Sequence, residues 1–216
     1  YSGGQIRSFN IIKEISEKHD ITLFSVIRKK NEEQYVEKLS VFCKKVVTFE
    51  RGRAFTVPHI VLSGITLLPF LLTIYKMPVL QKAIEEELRE GAYDLIHVET
   101  FYLMHNIPTT VVPLILFEQN IEYDVYRKIA NHFKPFFIRP LLFWDAFKMK
   151  TSEENFWKKA STVVVMSQAE KALANAKTVV CGNGVDTTFY KLQKRENNFR
   201  VLFIGNFKWF ENLDAA

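Results

Sequence analysis

The sequence predicts an α/β fold in which a parallel sheet carries helices on both faces, followed by the start of a second unit. Two observations lead there. Short β-branched, apolar runs alternate with stretches of helical periodicity along most of the 216 residues. Near the end, the apolar run 178–181 breaks at Gly182-Asn183-Gly184, passes through the polar segment 191–198, and resumes as Val201-Leu202-Phe203-Ile204-Gly205. Asn and Gly tolerate positive φ, so this break is expected to be a sharp turn where the chain leaves its sheet.

The elements follow in order. Ile6, Phe9, Ile12 and Ile15, with Ile11 beside them, place one apolar face on a helix that Gly3-Gly4 precedes. The run 21–27 reads as a buried strand, 31–39 as a polar helical connection, and 45–49 as the next short strand. Residues 57–75 carry no formal charge apart from a proton on His59, and their 19 residues reach the lower range for a membrane span. Pro58, Gly64 and Pro69 interrupt that stretch, so a buried helix pair is the favoured reading, ahead of a membrane-facing surface and well ahead of a span.

Leu80, Ile84 and Leu88 then form a helical stripe that Gly91 is placed to terminate. Strands are expected at 93–99, 111–117, 162–166 and 178–181, with helices over 126–160 and 168–176. Because Gly3-Gly4 would follow a strand, the order fits a Rossmann-like domain whose first strand is missing. Residues 1–185 are assigned to that domain, 186–198 to a linker, and 199–216 to the start of a second domain.

Composition narrows the function classes. Apolar residues make up 48% of the chain and include 19 Phe, ample for a core and unlike a disordered segment. The net charge of +5 is a mild excess with acids mixed throughout, so it fits an anionic partner without requiring one. Cys43 and Cys181 form neither a disulfide framework nor a metal site, which suits a reducing, cytoplasmic setting. No initiator Met or signal pattern opens the chain, and both ends are expected to be cut from a longer protein.

In a doubly wound sheet, ligands bind beyond the C-terminal ends of the strands. Four polar clusters fall there: Gly3-Gly4, His97-Val98-Glu99, residues 118–122, and Ser167. Gly3-Gly4 has no Cβ to hold a ligand away, and the helix behind it offers free N–H groups, which suits a phosphate; taken alone, such a pair is more often a plain turn. His97 lies in an apolar run, where a hydrogen-bonded core histidine is the commoner outcome. Glu99, at the strand's exit, is the better candidate for a sugar hydroxyl, because a carboxylate accepts such protons strongly. Glu122 is expected to pair with Arg127 or another base on the next helix.

Asn183-Gly184-Val185-Asp186 with Phe189, followed by Phe203-Ile204-Gly205-Asn206-Phe207-Lys208-Trp209, Asn212 and Asp214-Ala215, resembles the domain-crossing segment of glycosyltransferase family 4. That resemblance implies a GT-B fold, of which this chain would be the N-terminal, acceptor-side domain and the first residues of the nucleotide-sugar-binding domain. It also implies transfer of a sugar, with retention, from a nucleotide-sugar donor to a glycan or lipid-linked acceptor, with no metal and no further cofactor. By the same resemblance, Gly3, Gly4, Gln119, Asn120 and Lys208 join Glu99 in binding substrate or donor, and Asn183, Gly184 and Asp186 form the hinge. Similar enzymes read Glu-His-Asn-x-Glu-Tyr where this chain has Gln119, and glutamine cannot exchange a proton near neutral pH. No side chain is therefore assigned as catalytic; the donor phosphate would assist deprotonation, and the protein would position the reactants.

The Arg that usually follows the glycine of the second domain is replaced by Asn206, which weakens the assignment of Lys208. Most nucleotide contacts would lie beyond residue 216, so the chain alone is expected to be inactive. The alternative reading is a non-catalytic nucleotide-sensing or membrane-surface-binding domain. Bases and aromatics mix over 126–150, which suits an anionic membrane surface and a peripheral place on its inner face. Nucleic acid is not an expected partner, since no recognition module is present and the Phe residues are spaced as a packed helix would bury them.

Overall fold

The computed structural model describes residues 3–187 and 189–190. Lys208, the expected strand at 201–204 and most of the expected linker and second domain lie outside the described residues. The chain divides between Asn183 and Gly184, and the fold below is that of the first unit.

Its elements are α1 (Gly3–Ile15), β1 (Thr22–Ile27), α2 (Val36–Ser40), β2 (Lys45–Glu50), α3 (Val57–Ile65), α4 (Phe70–Tyr75), α5 (Pro78–Glu90), β3 (Ile96–Val98), β4 (Leu114–Phe117), α6 (Glu122–His132), α7 (Arg139–Lys159), β5 (Thr162–Val165), α8 (Gln168–Leu173) and β6 (Thr178–Val180). Short 3₁₀ helices precede α2 (Lys30–Tyr35) and α7 (Phe136–Ile138), and a third, Phe101–Asn106, joins β3 to β4. Every strand pair is parallel. β1 pairs with β2, and β3-β4-β5-β6 form a four-stranded sheet in sequence order. This is an α/β fold, compatible with a Rossmann-like arrangement.

Among the described residues no ladder joins the two sheets. Side chains link them instead: the Tyr93 hydroxyl lies 3.1 Å from Thr22 Oγ1, and Lys45 of β2 pairs with Glu87 of α5. The core lies on the larger sheet. Leu116, Val163 and Val165 are wholly buried against Phe101, Met149 and Trp157, as strands covered on both faces require. β1 was expected to be buried, yet only Ile27 is, because its sheet has two strands and little to cover it.

Several local expectations change. Gly3 and Gly4 form the first turn of α1 rather than a loop before it; N–H groups there have no intrahelical partner in any case. Gly91 does end α5, but with φ −110°. Its lack of a side chain matters for another reason: a Cβ at Gly91 would come within 2.7 Å of the Tyr93 ring. No described glycine or other residue has positive φ, and 182–184 carries neither a turn nor a bend, so the sharp turn expected there does not form. Ser167 is the N-cap of α8, its hydroxyl accepting from Glu170 N at 3.2 Å, and has a structural part.

The uncharged stretch 57–75 is a helix pair, as expected, but only half of it is buried. α4 buries Leu72, Thr73 and Ile74, whereas α3 buries Ser63 alone. A buried lysine fixes the pair to α7. Lys148 Nζ donates to Ser63 O (2.7 Å), Ser63 Oγ (2.9 Å) and Leu68 O (3.2 Å), and lies 3.1 Å from Asp145 Oδ1. Asp145 Oδ1 in turn accepts from Phe70 N at 3.0 Å. A charge this deep is tolerable because each donor has an acceptor.

Candidate functional site

Parallel strands bring their C-terminal ends to one edge, so the residues after β3, β4 and β6 meet there. The first two turns of α1 run across them. Ser8 Oγ donates to Glu99 Oε2 at 3.1 Å, Gln119 Nε2 reaches the same oxygen at 3.4 Å, and His97 Nε2 lies 3.0 Å from Glu99 Oε1. The Arg7 guanidinium covers the Phe117 ring, 3.9 Å from its centroid, and donates to Asn183 Oδ1. Gly4 packs so closely on Gln119 that a Cβ there would collide with Gln119 Oε1.

Of the expected residues, the structure brings together Gly4, Glu99, Gln119 and Asn183. Gly3 stands in open space, and Asn120 is exposed. Gly184 and Asp186 belong to the second unit, where Asp186 Oδ1 accepts from Phe189 N at 3.1 Å. His97 is not the core residue its apolar surroundings suggested. Strand alternation turns it away from buried Val98, and it is exposed beside Glu99. Arg7 and Ser8 were missed; the signal for them is helical spacing, three and four residues beyond Gly4 on one face of α1.

Burial pushes the Glu99 carboxyl up, but the His97 ring and then the Ser8 and Gln119 hydrogen bonds outweigh it and hold the group below its ordinary value. Glu99 is therefore a carboxylate at neutral pH, presented with an imidazole, an amide and a hydroxyl around it. Such a group accepts hydrogen bonds from hydroxylated ligands, and Arg7 supplies a cation on the same edge.

Behind this edge lie three further carboxyls. Glu118, wholly buried, accepts from Trp157 Nε1 at 2.8 Å. Glu153 of α7 caps α6, accepting from Glu122 N at 2.8 Å and Tyr123 N at 2.9 Å. Burial, and after it the nearby Glu153, drive Glu118 well above the usual carboxyl range. Burial alone lifts Glu122 to about 7. Glu153 rises to about 8, burial prevailing over its two backbone donors. The expected Glu122–Arg127 pair does not form. Arg127 and Lys128 bind Asp124 at 2.7 and 2.9 Å, because i,i+3 and i,i+4 spacing brings them to it while Glu122 turns inward at the helix start.

Among the described residues no group of three or more His, Cys, Asp or Glu side chains is arranged to hold a metal ion. A shallow depression of about 240 Å³ lies elsewhere, beside His19, Asp20, Cys43 and Lys44 at the opposite ends of β1 and β2. Comparison with protein families, with curated proteins and with solved structures finds no match to this chain.

Proposed function

We propose that the chain is the acceptor-side part of a retaining glycosyltransferase of the GT-B kind, acting with a nucleotide-sugar-binding domain that follows it. The observation that carries this reading is Glu99: an ionised carboxylate at the C-terminal edge of a parallel sheet, held by Ser8, Gln119 and His97. In this role Glu99 accepts a hydroxyl of the acceptor and orients it, and Gln119 and Ser8 exchange their bonds to Glu99 for bonds to sugar hydroxyls. Arg7 and the N-terminal end of α1 face the donor diphosphate. With Gln119 unable to carry a proton, the donor phosphate receives the acceptor's proton while the protein fixes geometry and charge.

The test is transfer of radiolabelled sugar from a panel of nucleotide sugars into lipid and glycan extracts. Protein carrying both domains is expected to label an acceptor and release nucleotide. The 216-residue chain is expected to do neither, since holding donor and acceptor together accounts for roughly 7–11 kcal/mol of barrier lowering. Transfer by the chain alone would place the donor site within it and overturn this reading.

A further inference from the structure

Two arginines stand where the strands of the smaller sheet end. Arg28 follows β1 and Arg51 follows β2, and the Arg51 backbone N–H donates to Ile27 O at 2.8 Å, which holds the two exits together. This sheet runs in the same direction as the larger one. Tyr93, ahead of β3, reaches Thr22 at the start of β1. At the other end the Arg51 guanidinium lies over the Tyr75 ring, 5.0 Å from its centroid, and Tyr75 meets Tyr102, past the end of β3, at 4.4 Å between centroids. Both arginines therefore share the C-terminal edge with Glu99, where a doubly wound sheet takes its ligands. The two tyrosine rings bridge Arg51 to the 3₁₀ helix that begins just past Glu99.

The fold's own acids leave this pair unused. Among the described residues neither Arg28 nor Arg51 enters an ion pair. Arg51 Nε is buried and has no hydrogen-bond partner among them. A buried donor without an acceptor is costly. Lys148 shows the contrast, since the chain surrounds that buried cation with acceptors. An aromatic face under a guanidinium occupies its plane and leaves its N–H edges for an oxyanion. The Tyr102 hydroxyl adds a neutral donor: burial above all pushes it up to about 12, so it keeps its proton, and Arg28 is near enough to act on it. Glu122, which acts on the same hydroxyl, is lifted to about 7 by burial, so no full negative charge closes the edge at neutral pH.

We propose that Arg51, with Arg28 beside it and the Tyr75–Tyr102 wall behind, is a subsite for an oxyanion, a phosphate or a carboxylate, carried by the acceptor whose hydroxyl meets Glu99. The link to Glu99 rests on the acceptor role proposed above; the oxyanion's place does not. The test is isothermal titration of the chain with a neutral hexose, a hexose phosphate and a hexuronic acid. The two acids are expected to bind about tenfold or more tighter than the hexose, with an advantage that shrinks as salt rises. The tighter of the two tells phosphate from carboxylate. Arg51→Gln should remove the advantage, and Arg51→Lys should restore only part of it, because an ammonium lacks the guanidinium fork. Arg28 is exposed, so Arg28→Gln should fold as the wild type does and still reduce the advantage. Glu99→Gln should weaken all three probes alike; no effect on any of them would sink the acceptor role and leave the oxyanion subsite standing. Equal binding of the three probes by the wild type, or an advantage that survives Arg51→Gln, would overturn the proposal. So would an advantage lost in Arg7→Gln but kept in Arg51→Gln and Arg28→Gln, because the anion would then sit at α1.

Discussion

Trp157 donates its indole N–H to Glu118 Oε1 at 2.8 Å, and both side chains are buried. The bond ties α7 to the residue that follows β4, directly before Gln119, while Glu118 N donates to Val164 O at 2.8 Å. Gln119 is thus presented to the site from a fixed backbone. Trp157→Phe removes the donor and leaves a buried acceptor, which should destabilise the fold by about 1–3 kcal/mol in urea unfolding. Glu118→Gln keeps an oxygen to accept from Trp157 and removes the charge that burial disfavours, so it should cost less than Trp157→Phe in the same assay.

The buried carboxyls give stability a defined pH dependence. Glu122 at about 7 and Glu153 at about 8 lie above the value of an unfolded glutamate, about 4.3, so the folded chain keeps protons that the unfolded chain releases. Their contribution is full below about pH 4 and is lost as pH climbs through 7 and 8. Glu99 and Asp124, both lowered, act oppositely and lose their contribution in acid. Urea unfolding at a series of pH values should show Glu122→Gln declining less than wild type between about pH 4 and 7, the interval from the unfolded glutamate value to the pKa of about 7 that burial gives Glu122. Parallel curves would contradict this.

Lys148 is a structural hub rather than a ligand group. Lys148→Ala strips Asp145 of its ion pair and two carbonyls and a hydroxyl of their donor. Breaking a buried pair from one side should destabilise by about 3–5 kcal/mol, measured by urea unfolding.

Gly4 tests whether close approach or ligand space is what the site needs. A Cβ at position 4 meets the end of the Gln119 side chain, which can swing aside, so Gly4→Ala should fold normally and lose the Gln119–Glu99 bond. Substrate affinity should then drop no further in Gly4→Ala with Gln119→Ala than in Gln119→Ala alone. An additive drop would mean that Gly4 leaves room for the ligand itself.

Periodicity and β-branched runs revealed nearly all strands and helices, because each depends on neighbours a few residues away. What they did not reveal depends on distant partners. Ser8 and Glu99 are 91 positions apart, and Glu153 caps a helix that begins 31 residues earlier. Hydrophobic pattern also reports which residues share a face, not whether that face is covered. For that reason the 57–75 stretch was legible as two helices, while the outward turn of Ile60 and Ile65 was not. Glu99 was found because a strand exit is a local feature, and Gln119 through the family resemblance; the role of His97 depended on which side of β3 stays open.

The central claim is that the Glu99 carboxylate orients the acceptor, and its most direct test is kcat/KM for sugar transfer by protein carrying both domains. Glu99→Gln keeps the size of the side chain and removes the charge. Losing a charged hydrogen bond of about 1.5–3 kcal/mol should lower kcat/KM roughly 10- to 100-fold. Glu118→Gln, one residue from Gln119 but buried away from ligand, should stay nearer the wild-type value in the same assay. Equal rates for Glu99→Gln and wild type would contradict the account.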